Sequence, residues 1–218
     1  MAGGMKRLAK DTAIYGLSSI IGRFLNWMLV PMYTRVLEST GEYGIVANLY
    51  AYTALFVVLL TYGMETGFFR FINTKEEREP MRVYASTFYS VAFTSSLFIG
   101  LILLFVNPVS SALGYDTNPE YVGMMGCIVA VDDFCCIPFA YLRYKNRPIR
   151  FAGLKLLSIF FNIFLNLFFL IICPKIHISH PEWISWFYKP DYGFGYIFIS
   201  NVFTTAITFL LHHISSPT

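Results

Sequence analysis

The chain has 218 residues, of which 56% are hydrophobic, 18% aromatic and only 13% charged, with a mean hydropathy of +0.56. So little charge cannot clothe the surface of a soluble domain, which excludes a water-soluble globule and leaves a polytopic membrane protein. A net charge of +3 gives no reason to invoke a nucleic-acid partner, and how that charge is distributed says more than its size.

The first apolar run, Thr12 to Thr34, carries Arg23 near its centre. A helix of about 20 residues crosses a hydrocarbon layer of about 30 Å, so the guanidinium is predicted close to mid-membrane. That position costs roughly 2.5 to 3.5 kcal/mol and demands shielding. At about 100° per residue, Thr12, Tyr15, Gly16, Ser19, Asn26 and Tyr33 fall within about 80° of Arg23, while Ile14, Leu17, Ile21, Leu25, Met28 and Met32 fall on the opposite side. The pattern predicts a lipid face and a polar stripe with a permanent cation in it. Two readings stay open: Arg23 binds a ligand in a lumen, or it is a buried ion-pair partner. The basic lead and apolar run imitate a signal peptide, but the run is too long and lacks a small-residue cleavage site, so a retained helix is predicted.

Further stretches of low charge at 43–64, 84–106, 121–142, 156–173 and 192–211 complete an all-α bundle of six transmembrane helices in one domain, residues 1–218. After the second span, Gly63 and Gly67 have the spacing of a helix-packing motif, or of a turn at the membrane boundary. The third span lines up Ser86, Ser90 and Thr94; the fifth Lys155, Ser158, Asn162 and Asn166; the sixth Asn201, Thr204, Thr205, Thr208 and His212. Each stripe can serve as helix-to-helix glue, and together they suggest a bundle around a hydrated cavity. The segment Pro174–Asp191 gathers Trp183, Trp186, Phe187 and Tyr188 and is expected along the outer interface.

Basic residues alternate along the chain. Lys6, Arg7 and Lys10, then Arg70, Lys75, Arg78 and Arg82, then Arg143, Lys145, Arg147, Arg150 and Lys155 fall on one side, against Arg35, Lys175 and Lys189 on the other. The positive-inside rule places the first set, and both termini, in the cytoplasm. Cys127, Cys135, Cys136 and Cys173 lie within or at the ends of spans and read as apolar membrane residues rather than a disulfide framework.

Chemistry-bearing motifs are sparse. Asp132-Asp133 lacks the third aspartate of a prenyl-diphosphate Mg²⁺ motif, and no nucleophile elbow, Walker loop or zinc-protease signature is present. His177 and His180 have no third ligand at fixed spacing. The chain is therefore not expected to be an enzyme or to need a cofactor or metal. Two aspartates at mid-span can titrate and couple transport to a cation, or one can pair with Arg23.

The opening LAKDTAIYGLSSIIGRFLNWMLVPMYTRVLESTGEYGIV, the block YGMETGFFRF at 62–71 and the block PFAYLR at 138–143 resemble Wzx-type flippases of lipid-linked oligosaccharides, within the multidrug/oligosaccharidyl-lipid/polysaccharide exporter superfamily. The resemblance covers essentially the whole chain with diffuse motifs. It implies two helix bundles around a cationic cavity that opens alternately to each side, and a substrate made of a sugar repeat on undecaprenyl diphosphate, flipped across the bacterial cytoplasmic membrane for surface polysaccharide (O-antigen or capsule) synthesis. It further implies that Arg23 matches a first-helix arginine that engages the diphosphate, and that Glu65 matches a recurrent acidic residue at the inner end of helix two. The candidate substrate residues are then Arg23, Asn26, Ser19, Tyr15, Asn162 and Asn166, with Asp132, Asp133 and Glu65 as coupling or ion-pair residues. Six spans make one bundle of such a fold, so the chain is expected to be an N-terminal half, whose partners are the lipid-linked substrate, membrane lipids and either a C-terminal half or polysaccharide-assembly proteins. A cation-coupled drug exporter of the same superfamily and an integral-membrane glycosyl- or acyltransferase are the competing readings.

Overall fold

The computed structural model describes residues 2–36, 40–74 and 80–215, which form helices and turns with no strand among them. The long helices are α1 (Ala2–Val36), α2 (Thr40–Thr61), α4 (Pro80–Leu104), α6 (Pro119–Tyr144), α7 (Pro148–Leu167) and α10 (Gly195–Ser215), joined by the short α3 (Met64–Ile72), α5 (Val106–Leu113), α8 (Cys173–Ser179) and α9 (Pro181–Ile184). Five segments are long and apolar enough to cross a membrane: Ala9–Val36, Tyr43–Ile72, Pro80–Leu104, Pro119–Tyr144 and Pro148–Ser179. A sixth, shorter apolar helix, Gly195–Leu211, lies on the stretch 192–211 expected for the last span.

The bundle is built around α6. Of its most apolar stretch 67% is buried, against 17% for the other four full-length spans, so α6 is the helix the others cover. Small residues let them approach. A methyl group on Gly126 would lie 2.7 Å from Ile102 Cγ2 of α4, the close packing that drives helix association where lipid removes the hydrophobic incentive. Contacts fix the directions. Tyr15 of α1 meets Phe151 of α7 and Tyr33 meets Asn166, so α1 and α7 run parallel. Tyr84 and Ser95 of α4 meet Tyr141 and Asp133, so α4 and α6 are antiparallel. Phe198 of α10 stacks on Tyr121, and Phe209 packs on Phe134, which makes α10 parallel to α6.

These directions bring the start of α1, the α2–α3 junction and the α6–α7 junction to one end. The three basic segments therefore share an end, although Lys75 and Arg78 lie outside the described residues. The sequence reading counted Lys155 both with the basic segment before the fifth span and with the stripe of that span. The residue belongs to α7 rather than to the loop before it, because Pro148 starts the helix with its fixed φ and missing N–H.

The glycine pair after α2 is a turn. Gly63 caps α3 at φ 72, ψ 12, a left-handed conformation glycine adopts without a Cβ clash, and Gly67 N–H donates to the Gly63 carbonyl at 3.0 Å. The aromatic connection after α7 is also more ordered than a loop. A π-helical turn, Phe168–Ile172, carries α7 into α8, and α9 follows with Trp183 and Trp186 exposed and Tyr188 buried.

Candidate functional site

The polar stripe of α1 is real, but it is the flank of the helix rather than its buried face. Ser18, Gly22, Leu29 and Tyr33 are buried, with Gly22 pressed against Ile159 of α7. Leu17, Ile20, Phe24, Trp27 and Met28 form the outward apolar face. Ile14, Ile21, Leu25 and Met32, assigned to lipid from the wheel, are half-buried. The wheel ranks polarity correctly yet cannot know which flank a neighbour occupies; packing on α7 turns the helix so that Arg23 lies between its two apolar sides.

There Arg23 lines a cavity of about 340 Å³ with Ser19 and Asn26 of α1, Asp132 of α6, Lys155, Ser158 and Asn162 of α7, and Asn201, Thr204 and Thr205 of α10. The stripes noted separately on three helices meet at this cavity. Toward the basic end it shares Asp132, Lys155, Ser158 and Thr205 with an inner cavity of about 370 Å³ that reaches Glu65, Phe139, Arg143 and Phe151. Toward the other end it shares Asn26, Asn162 and Asn201 with an outer cavity of about 290 Å³ walled by Tyr33, Tyr43 and Tyr50. One polar path thus runs the length of the bundle between α1, α2, α6, α7 and α10.

The candidate residues divide by their surroundings. Arg23, Ser19, Asn26, Asn162 and Asp132 face the central cavity. Tyr15 does not; its ring meets Phe151 at 5.2 Å in the core beside Phe139 and Leu142. Asn166 is fully buried, accepts from the Tyr33 hydroxyl at 3.0 Å and donates to Asn162 Oδ1 at 2.8 Å. It ties α1 to α7 instead of facing the lumen. Asp133, next in sequence to Asp132, points to the opposite side of α6, where it is fully buried and accepts from Ser95 of α4 at 2.5 Å. Successive helical residues lie about 100° apart, and here that turn carries Asp133 onto α4 while Asp132 meets the cavity. Among the described residues neither aspartate forms an ion pair with Arg23.

Glu65 pairs instead with Arg143, Oε1 to Nη2 at 2.5 Å, joining α3 to the end of α6. Arg143 lies 5.6 Å from the Phe69 ring and 5.7 Å from that of Phe151, and Lys155 Nζ lies 5.3 Å from the Phe139 ring. Aromatic faces, worth about 0.5 to 2 kcal/mol per cation, thus hold both cations in an apolar setting. The sequence blocks 62–71 and 138–143 meet in the structure: Phe68 and Ala140 share a buried cluster with Ile72 and Ile137 just outside them. Sequence reasoning counted Arg143 only among the cytoplasmic charges, and Lys155 both there and in the stripe with Ser158 and Asn162; the structure puts both cations on the cavity walls.

His177 packs against Tyr188, and His180 stacks on Trp183 at 4.9 Å. Among the described residues no three His, Cys, Asp or Glu side chains converge as metal ligands. The His212 side chain lies outside them. The four cysteines are free thiols, two of them fully packed in the interior.

The chain matches the family model described as polysaccharide biosynthesis protein over residues 8–169. That range holds Arg23, Glu65, Asp132, Arg143 and Lys155 and stops before α10. No curated protein and no solved structure matches the chain.

Proposed function

This chain belongs to the polysaccharide biosynthesis protein family, whose members are membrane flippases and exporters rather than enzymes, and on that premise we propose that it moves an undecaprenyl-diphosphate-linked oligosaccharide repeat from the inner to the outer leaflet of a bacterial cytoplasmic membrane. The observation that carries the reading is Arg23 at mid-span on a cavity wall shared with Lys155, Asn26 and Asn162. A diphosphate presents several anionic oxygens, and a planar guanidinium holds two of them at once in a medium of low dielectric. Amides and hydroxyls of Asn26, Asn162 and Ser19 supply neutral donors and acceptors beside it. A cationic drug would meet two like charges there, which weighs against the exporter of organic cations.

In this reading the basic end of the bundle is cytoplasmic, following the distribution of Arg and Lys over the helix junctions. The outward faces of α1 and α2, with Leu17, Phe24 and Trp27 on one and Leu55, Val58 and Leu59 on the other, meet lipid and a second bundle, either a C-terminal half or a polysaccharide-assembly protein. Asp132 is the carboxylate placed to respond to a coupling cation, since it alone of the pair faces the lumen.

The test is transport by Arg23 variants normalised to membrane protein. Arg23→Lys should be impaired despite its charge, because the bidentate geometry is lost, and Arg23→Ala more so, with abundance near normal. Wild-type transport by Arg23→Ala removes the binding role.

A further inference from the structure

We propose that Lys155 is a second cation of the same anion site, so that Arg23 and Lys155 together hold one diphosphate while Asp132 limits how tightly it is held. This inference rests on the proposed function and gives two residues of its cavity roles in anion binding.

The geometry begins where α1 and α7 touch. Gly22 of α1 comes against Ile159 of α7, and a Cβ on Gly22 would lie 2.6 Å from Ile159 Cδ1. Arg23 follows Gly22, and Lys155 stands four residues before Ile159, so the two cations flank one contact between parallel helices at heights about five residues apart, roughly 7.5 Å. Both line the central cavity. Lys155 also lines the inner cavity, so it stands where the path from the basic end widens toward Arg23. Among the described residues neither cation is within ion-pair distance of a carboxylate, although Asp132 shares their wall. Two fixed cations and one carboxylate leave an excess of one positive charge around a water-accessible space. Aromatic contact keeps Lys155 in place without neutralising it.

A compact dianion or trianion suits this arrangement better than a single carboxylate, because it can accept from the Arg23 fork and from the Lys155 ammonium simultaneously. The volume of about 340 Å³ admits a headgroup and leaves a sugar repeat and a lipid chain outside. Asp132 then has a defined effect. It repels the bound anion and shortens its stay, as a translocation site must bind well enough to load and weakly enough to unload.

Two probes separate the sources of such a group: inorganic pyrophosphate and farnesyl diphosphate, each titrated against the 218-residue chain in phosphatidylcholine nanodiscs and followed by tryptophan fluorescence, with Trp27 one turn from Arg23. Lys155→Gln should weaken binding about tenfold or more, as expected for loss of a charged hydrogen-bond partner, and Lys155→Arg should restore most of it. Asp132→Asn should tighten binding several-fold. Binding of both probes with this pattern assigns the site to the diphosphate itself; binding of the prenyl form alone with this pattern adds the chain to the recognised group, and both support the inference. Wild-type affinity in Lys155→Gln, with binding lost in Arg23→Ala, overturns the inference and leaves the proposed function standing. If Lys155→Gln does not assemble, Asp132→Asn carries the test, and unchanged or weaker binding there overturns it. No binding of either probe by the wild type overturns both.

Discussion

At the scale of single residues, neighbours in sequence have opposite occupations. Asn162 faces the cavity and Asn166, one turn on, links Tyr33 to α7. Replacing Asn166 by Ala leaves a buried Tyr33 hydroxyl without its acceptor, a loss of about 1 to 3 kcal/mol. The expected outcome is a lower thermal midpoint in detergent with diphosphate affinity unchanged, whereas Asn162→Ala should alter affinity. The Glu65–Arg143 pair is half-exposed, so its strength is that of a modest surface contact, about 0.2 to 1 kcal/mol. Its geometric role is larger than its energy, since it pins α3 to α6. Exchanging the two residues, Glu65→Arg with Arg143→Glu, should recover part of the stability that either single change removes, and a double-mutant cycle with no coupling would show the pair to be idle.

At the scale of elements, α6 tolerates its neighbours because it is small where they cross it. Gly126→Leu forces Ile102 and α4 outward, an overpacking worth about 1 to 3 kcal/mol, and should reduce the folded fraction recovered from membranes. Gly123→Ala is the control, with Leu103 Cδ2 at an ordinary 3.7 Å from the added methyl. The alternating helix directions make a second prediction. A membrane-impermeant maleimide applied to intact cells should label Ser185→Cys between α9 and α10 and spare Lys145→Cys between α6 and α7; the reverse pattern would invert the topology.

At the scale of the whole molecule, one polar path crosses the bundle, and the outward apolar faces of α1, α2, α4 and α7 are those of a protein surrounded by lipid and partners. A path inside one bundle holds a headgroup, while passage of a saccharide needs a second wall that moves relative to the first. Residues 1–218 expressed alone in a strain lacking its flippase should therefore insert in the membrane without restoring polysaccharide export. Full complementation by this segment would mean that two copies supply both walls.

By itself the sequence determined the solvent and the rough plan. Apolar runs of membrane length admit only helices, because every backbone amide must be bonded within its own segment, and the Arg23, Asn162 and Asn201 stripes were legible as periodicities. Composition also fixed which ends carry the basic charge. What periodicity cannot carry is the angle at which each helix turns toward its neighbours, since that is set by contacts between residues far apart in the chain. Only tertiary structure decided that Arg23 lies on a flank of α1, that Asp132 faces the lumen while Asp133 binds Ser95, that Glu65 pairs with Arg143, and that Lys155 shares a cavity wall with Arg23. In lipid, polarity draws a residue inward but does not say to which neighbour, and only the packing of small residues such as Gly22 and Gly126 chooses one.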